Sequence, residues 1–312
     1  MYPLSSKGTL CGLFGVSRQA WYDSRKRRSS CEMEEVFILG QIKELRKEHK
    51  RMGVDKLYRL IKPDLEAHHI KYGRDKLYTL LQAHGLMVKR RRSGSRTTNS
   101  NHLYRKYPNL IRDKTLNHAN QLWVSDITYI RTDKGFVYLS LVTDAYSKKI
   151  VGWSLWPELS STGPLNAIGM AVEIEGVRPG LTHHSDRGIQ YCCYDYVNFL
   201  QASKIGISMT ENGDPYENAI AERVNGILKD EYELSEVFDD YHLALEATKI
   251  AVNRYNTKRP HRSVDFLVPV EAHKQTGVLK KHWKKHTFDP QKKAVNSSPA
   301  VDENSKNISG GT

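Results

Sequence analysis

The sequence predicts an α/β catalytic domain, a mixed sheet flanked by helices, preceded by small all-α helix-turn-helix modules. Three observations point there. Apolar residues recur at i, i+3, i+4 spacing before residue 93; period-two, β-branched segments begin near residue 118; and helical and strand patterns alternate from about residue 164 onward.

Length and charge set the class. The chain has 312 residues, enough for two or more domains at about 100–200 residues each. With 48 Lys+Arg against 35 Asp+Glu it carries a formal charge of +13. Such a balance favours a polyanionic partner through release of condensed counterions, and double-stranded DNA is the expected one. No stretch approaches the roughly 20 apolar residues of a membrane helix, and the start, "MYPLSSKGTLCGLFGV", lacks the pattern of a signal peptide. A cytoplasmic setting without membrane attachment is expected. Cys11, Cys31, Cys192 and Cys193 show no CxxC spacing and are expected as reduced thiols.

The first module covers residues 1–32. Leu10, Leu13 and Phe14 share helical spacing, Gly15 breaks the pattern, and Ser17 restarts it as an N-cap, giving two short helices across a tight turn. Arg18 opens the second of them, and the basic run Arg25 to Arg28 suits phosphate contacts. The second module covers 33–92 and contains an echo, "GVDKLYRLI" from Gly53 and "GRDKLYTLL" from Gly73. Asp55 and Asp75 are expected as caps, Gly85 as a terminator, and Lys76 as a DNA contact. Lys89, Arg90, Arg91 and Arg92 follow at once, then a basic and polar linker over 93–117.

The catalytic core is expected over 118–275. "LWVSDITYIR" and "FVYLSLVTDAYSKKIVGWSLW" read as three meander strands around the turn "TDKG". A helix is expected near 164–175, a strand near 181–185, a helix near 191–202, a strand at "IGISMT", and helices near 216–232 and 242–255. The tail, 276–312, is basic and then too poor in apolar residues to order itself.

Three carboxylates stand out. Asp126 interrupts an apolar strand, where an ionised group is costly unless paired or bound to metal. Asp186 falls just past a strand end. Glu222 lies on an amphipathic helix whose polar stripe also carries Asn218, Asn225, Gly226 and Lys229, opposite Ile220, Val224, Ile227 and Leu228. Carboxylates that converge repel one another, and in a basic protein the natural remedy is a hard cation with oxygen ligands, Mg²⁺ or Mn²⁺. A pair of such ions, about 3.5–4 Å apart, would serve an in-line phosphoryl displacement. The doublets His183/His184 and Cys192/Cys193 lack the ligand spacing of structural zinc.

The blocks "WVSDITYI", "HSDRGIQY", "ENGDPYENAIAERVNGILKDEY" and "YNTKRPH" resemble the signature of DDE transposases related to retroviral integrases, and 35 residues separate Asp186 from Glu222. The resemblance is strongest to the bacterial insertion-sequence branch encoded in two overlapping frames, of which this chain resembles the downstream product. It spans about residues 8 to 275 and implies a ribonuclease H-like integrase core. Carried over residue by residue, it makes Asp126, Asp186 and Glu222 the catalytic, metal-binding triad and Lys229 a contact near the reacting DNA end. It implies strand cleavage at the element ends, then attack of the freed 3′-OH on another phosphodiester, with the helical modules holding terminal inverted repeats. Arg254, Arg259 and His261, in "NRYNTKRPHRS", are candidate backbone contacts, while Tyr255 and Pro260 are expected to be structural. Bringing two ends together implies a homo-oligomer on DNA, and the two-frame branch implies an upstream-frame partner. The alternative is a DNA-binding regulatory or partial product that needs that partner. Asp144, Asp195, Glu211, Asp214 and Glu217 are discounted as ligands, and Asp144 is expected to cap a turn.

Overall fold

A computed structural model describes residues 6–88, 102–112, 114–211 and 218–282. Lys89, Arg90, Arg91 and Arg92, and also Asp214 and Glu217, lie outside the described residues.

Helix α1 (Lys7–Leu13) ends at a turn where Gly15 takes φ +64°, and α2 (Arg18–Glu48) restarts with the Ser17 hydroxyl accepting from the Ala20 amide. The first helix and its turn match expectation; the second helix does not stop. It runs 31 residues, straight through the expected module boundary at 32/33. No Gly or Pro stands between Arg18 and Ile38, so nothing in the backbone forces a break there. Beyond it, α3 (Val54–Ala67) and α4 (Arg74–Ala83) carry the echoed sequence. Their N-caps are Gly53 and Gly73, which have no side chain to bond; Asp55 and Asp75 sit in the first turns, favourable to the helix dipole, and do not cap. Gly85 terminates α4 at φ +66°. Ile38 and Ile42 of α2 pack on Leu57, Ile61 and Leu65 of α3 and Leu77 and Leu81 of α4, so the far half of α2 completes this small core.

The sheet is mixed. Strands β1 (Leu122–Thr132), β2 (Gly135–Asp144) and β3 (Ile150–Trp156) form the expected antiparallel meander. Helix α5 (Thr162–Glu175) returns the chain, and β4 (Thr182–Ser185) joins β1 in parallel. The expected helix over 191–202 is broken at Cys193 into α6 (Ile189–Cys192) and α7 (Tyr194–Ala202), after which β5 (Gly206–Met209) extends the sheet. Helix α8 (Ala219–Glu231), the two-residue β6 (Val237–Phe238), α9 (Tyr241–Lys258) and α10 (Pro269–His273) complete the core. The order β3-β2-β1-β4-β5, with β6 pairing β1 in parallel near its far end, puts β1 at the centre.

Two apolar layers cover the sheet. Trp123, Val142 and Ile207 meet α5 and α7 on one face, while Ile130, Leu139 and Leu141 meet α8 and α9 on the other. At Gly152 of β3 a Cβ would stand 2.1 Å from the Ala167 carbonyl oxygen, so only glycine lets α5 sit this close. Asp144 is fully buried and accepts from the Asn120 and Ser147 amides and the Ser147 hydroxyl, as befits a turn-capping carboxylate. No helix among the described residues is long and apolar enough to cross a membrane.

The helical module rests on the core along α8 and the end of α9, largely through charge. Lys50 meets Glu233, Lys56 meets Glu231, Lys258 meets Glu48 and Arg262 meets Asp55. Only the Glu231 pairs are dry. Arg259 clamps that carboxylate with Nε and Nη2, both at 2.8 Å, and Lys56 Nζ adds a third bond at 2.7 Å. Although burial alone would raise it, the flanking cations hold the Glu231 carboxyl down at about 2. Replacing Arg259 by Ala is therefore expected to cost about 3–5 kcal/mol in urea unfolding, whereas removing the exposed Lys47–Glu44 pair costs at most about 1 kcal/mol.

Candidate active site

Asp126 is set by the alternation of β1. Val124 packs with Ala221, and Ile130 with Val224, Ile227 and Leu228, so Asp126 lies between them on the face that α8 covers. Asn225 of α8 donates from Nδ2 to Asp126 Oδ2 at 2.9 Å. Two turns earlier, at the N-cap, Asn218 donates to the Ser125 carbonyl at 3.0 Å. These two amides tie the helix to the strand on either side of the carboxylate.

Asp186 is set by the neighbouring strand. β1 and β4 pair in register Leu122↔Thr182, Trp123↔His183 and Val124↔His184. Two more steps would place Asp126 beside Asp186, but pairing stops at Val124, and β6 takes up the same edge of β1 only at Arg131. The gap opens at the carboxyl end of a parallel pair, where open α/β sheets carry their sites. Asp186 Oδ1 accepts from the Gly188 amide at 3.0 Å, and a Cβ at Gly188 would meet that oxygen at 3.0 Å. A side chain there would crowd the carboxylate.

Glu222 stands in the first turn of α8, exposed, where the helix dipole favours an anion. The two other carboxylates both act on Asp126. Burial pushes the Asp126 carboxyl up to about 7; the charge of Asp186 adds to it, the Asn225 hydrogen bond opposes, and Glu222 adds further. Lys229, two turns along α8, is half-buried with Nζ 5.9 Å from the Tyr129 ring centroid. Its burial lowers its pKa while Asp126 pulls the other way.

The donor set suits a hard divalent cation, since the charges of Asp186 and Glu222 add to the raised protonation of Asp126 and a cation would relieve it. They are not drawn into a closed ligand shell: among the described residues, no three His, Cys, Asp or Glu side chains are placed to hold an ion together. His183 and His184 are structural. His183 Nε2 lies 2.8 Å from Ser125 Oγ and 3.0 Å from the Tyr196 hydroxyl, and His184 Nδ1 lies 2.9 Å from Ser208 Oγ, so both brace adjacent strands inside the sheet. Cys192 is buried against Met209 Sδ.

The integrase core domain family matches this chain twice, over residues 117–215 and 203–269. The insertion element IS600 uncharacterized 31 kDa protein of Shigella sonnei is 32% identical over 262 residues, covering 83% of this chain and 96% of that protein. The transposase for insertion sequence element IS904 of Lactococcus lactis subsp. lactis (strain IL1403) is 31% identical over 262 residues, covering 80% and 98%. The chain belongs to the insertion-sequence transposases with an integrase core. The transposase for IS629 of Shigella sonnei is 29% identical over 275 residues, covering 86% of this chain and 91% of that protein. Among solved structures, the magnesium-bound HTLV-2 integrase catalytic core is similar at 18% identity and a TM-score of 0.41, covering 50% of this chain and 97% of that one.

In this transposase the first match holds Asp126 and Asp186 and the second holds Glu222. The other expected contacts divide. Arg18 and Lys76 are exposed on the helical module, Lys76 6.0 Å from the Tyr72 ring centroid. Arg254 is half-buried and donates to the Glu48 carbonyl. Arg259 is a correction: with 2% of its surface exposed and its guanidinium clamped on Glu231, it faces the protein rather than DNA. His261 is also interior, its ring edge-on to Tyr255. Tyr255 bonds the Lys148 carbonyl and is fully buried. Asn225 was legible as part of the polar stripe, but its bond to Asp126 was not, because 99 residues separate donor from acceptor.

A pH dependence follows from His183. Burial first, and then His184, lower its pKa to about 3, so the native state binds fewer protons than the unfolded chain between about pH 6.5 and 3. Its contribution is complete above pH 6.5 and is lost as pH falls through that window. Urea midpoints of the wild-type chain are expected to fall from pH 7 to pH 5, and more shallowly in His183→Phe, the two being compared as slopes.

Proposed function

We propose that this transposase cleaves the ends of its element and joins the freed 3′-OH to target DNA with Asp126, Asp186 and Glu222 as its metal-holding catalytic residues. The observation that carries the reading is the crowding of Asp126 by Asp186 and Glu222 at the opening between β1 and β4. An ordinary core carboxylate in a strand is matched to a cation or a set of donors, as Asp144 is matched to amides and a hydroxyl. Asp126 accepts from Asn225 but is placed among like charges as well.

Mg²⁺ or Mn²⁺ held by these carboxylates would supply Lewis-acid stabilisation of charge on the phosphodiester oxygens and lower the pKa of the attacking hydroxyl, in the manner of two-ion sites. The chain's own residues do the rest. Asn225 fixes one Asp126 oxygen, and the Gly188 amide holds one oxygen of Asp186. Glu222 comes to the site from solvent on a helix whose apolar face is fixed in the core. Lys229 brings a cation to the same side, where it would meet a phosphate of the bound end. No covalent enzyme intermediate is needed, because a water or a 3′-OH is the nucleophile.

The helical module, with Arg18, Lys76 and the run Lys89 to Arg92, would hold the terminal inverted repeats, and joining two ends would require a homo-oligomer on DNA with, in the two-frame arrangement, an upstream-frame partner. The regulatory alternative is not favoured: relatives matched over nearly their whole length carry the name transposase.

Strand transfer with the purified chain and a labelled duplex bearing the flanking inverted repeats tests the activity. Asp186→Asn is expected to abolish cleavage and joining with end binding retained, and joining that persists would remove the triad assignment. A second readout needs no activity. Mg²⁺ is expected to raise the thermal midpoint of the wild-type chain, since it binds the native state alone, and to do so far less for Asp126→Asn or Asp186→Asn.

A further inference from the structure

A cavity of about 330 Å³ lies beside α8, where the helical module meets the core. Its lining comes from three places: Lys56 of α3, Arg223 and Ile227 of α8, and Arg259, His261, Arg262 and Ser263 from the turn after α9. Four cations therefore face a single space. Against them stands Glu231, already bonded to both Arg259 and Lys56, and Asp55, 3.4 Å from Arg262.

The imbalance is visible in the groups themselves. Lys56 is lowered to about 8, by burial and then by Arg259, with Arg223 contributing and Glu231 opposing. His261 is lowered well below its ordinary value, by burial and then by Arg259, Lys56, Lys148 and Arg223. Its Nε2 has no hydrogen-bond partner among the described residues. Arg223 is exposed and forms no hydrogen bond or ion pair among the described residues. Cations that only solvate a surface point outward and apart; these converge on a common hollow with unspent donors.

We propose that this cavity is a phosphate-binding site, in which Arg223 makes the direct contact and Lys56, Arg259 and Arg262 supply the field. Phosphate is the fitting oxyanion. A guanidinium offers it two parallel donors, and a hollow of this volume holds on the order of ten waters' share of space at about 30 Å³ each, ample for a phosphate group. The group is either a free phosphate or a phosphodiester of bound DNA; the second source rests on the transposase reading, and the site itself does not. A phosphodiester there would touch the module, α8 and the α9 turn at once. It would register the helical module against the helix that carries Glu222.

The experiment uses the full chain and two probes. In the first, sodium phosphate is compared with sodium chloride at matched ionic strength in thermal unfolding. Phosphate is expected to raise the midpoint beyond chloride in the wild type, Arg223→Lys to keep part of that rise, and Arg223→Gln to lose it. Because Arg223 is exposed, its variants are expected to match the wild type in chloride. In the second, the salt dependence of binding to a random-sequence duplex is measured for the wild type and Arg223→Gln. A phosphate-specific rise with a slope reduced by about one in Arg223→Gln assigns the site to a DNA phosphodiester. The same rise with an unchanged slope assigns it to free phosphate. No rise beyond chloride in the wild type, or a rise that persists undiminished in Arg223→Gln as general surface exclusion of phosphate would give, overturns the site whatever the slope. Neither arm reads catalysis, so failure of strand transfer is a separate result.

Discussion

An ionisable carboxylate in the middle of a central strand has to be covered, and the cover here is α8. Val224, Ile227 and Leu228 anchor that helix in the core, and Asn218 and Asn225 reach across to β1 on either side of Asp126. Much else in the molecule hangs on the same thirteen residues. Glu222 projects from the first turn, Arg223 from the adjoining face, and Glu231 from the last turn into the ion cluster that receives the helical module. A small rotation of α8 would therefore move a carboxylate of the site, a cation of the cavity and the anchor of the module together.

The arrangement of forces along that helix is uneven. Its apolar side is worth roughly 25 cal/mol for each Å² removed from water and is not weakened by charge screening. The contacts between the core and the module are largely ionic. Exposed pairs such as Lys50–Glu233 and Lys258–Glu48 contribute about 0–1 kcal/mol each and weaken as salt rises. The dry cluster of Glu231, Arg259 and Lys56 is different, because taking away one member leaves charge stranded in the interior. The core thus holds α8 firmly, while the module is held at one strong point surrounded by weak ones.

What the sequence disclosed and what it withheld follow from the range of each interaction. The meander and the alternating β/α pattern were legible because alternation in "WVSDITYI" and "FVYLSLVTD" is local, and Asp126 is conspicuous as the break in such a run. Asp186 and Glu222 were legible by resemblance, each at the end of an element whose limits the sequence marks. Arg259 was misread for the opposite reason. A cation in a polar, basic block has the look of a surface residue, and its partner Glu231 lies 28 positions earlier. The same block hid the burial of His261. The continuous α2 was misdivided because its middle turns are rich in Arg, Ser and Glu, and polarity was taken for a boundary where the backbone contains no breaker.

The placement of Arg259 changes how the basic composition is understood. A formal charge of +13 suggests a surface waiting for DNA, yet part of it is committed internally: Arg259 and Lys56 to Glu231, and Lys149 to Glu175. Lys148, half-buried, is turned onto the Ala145 carbonyl and lowered to about 8 by desolvation. Charges so placed cannot release counterions on binding, because they hold none. The electrostatic footprint offered to a polyanion is consequently smaller than the composition implies and is set by position. Among the described residues it includes Arg18 and Lys76 on the module, Lys229 beside the carboxylates, and Arg223 at the cavity. Two of these four lie on α8, so the helix that covers Asp126 also presents cations on two of its faces. In the proposed function, shielding the strand carboxylate and meeting the phosphate backbone would be the work of one rigid element, and neither could be adjusted without the other.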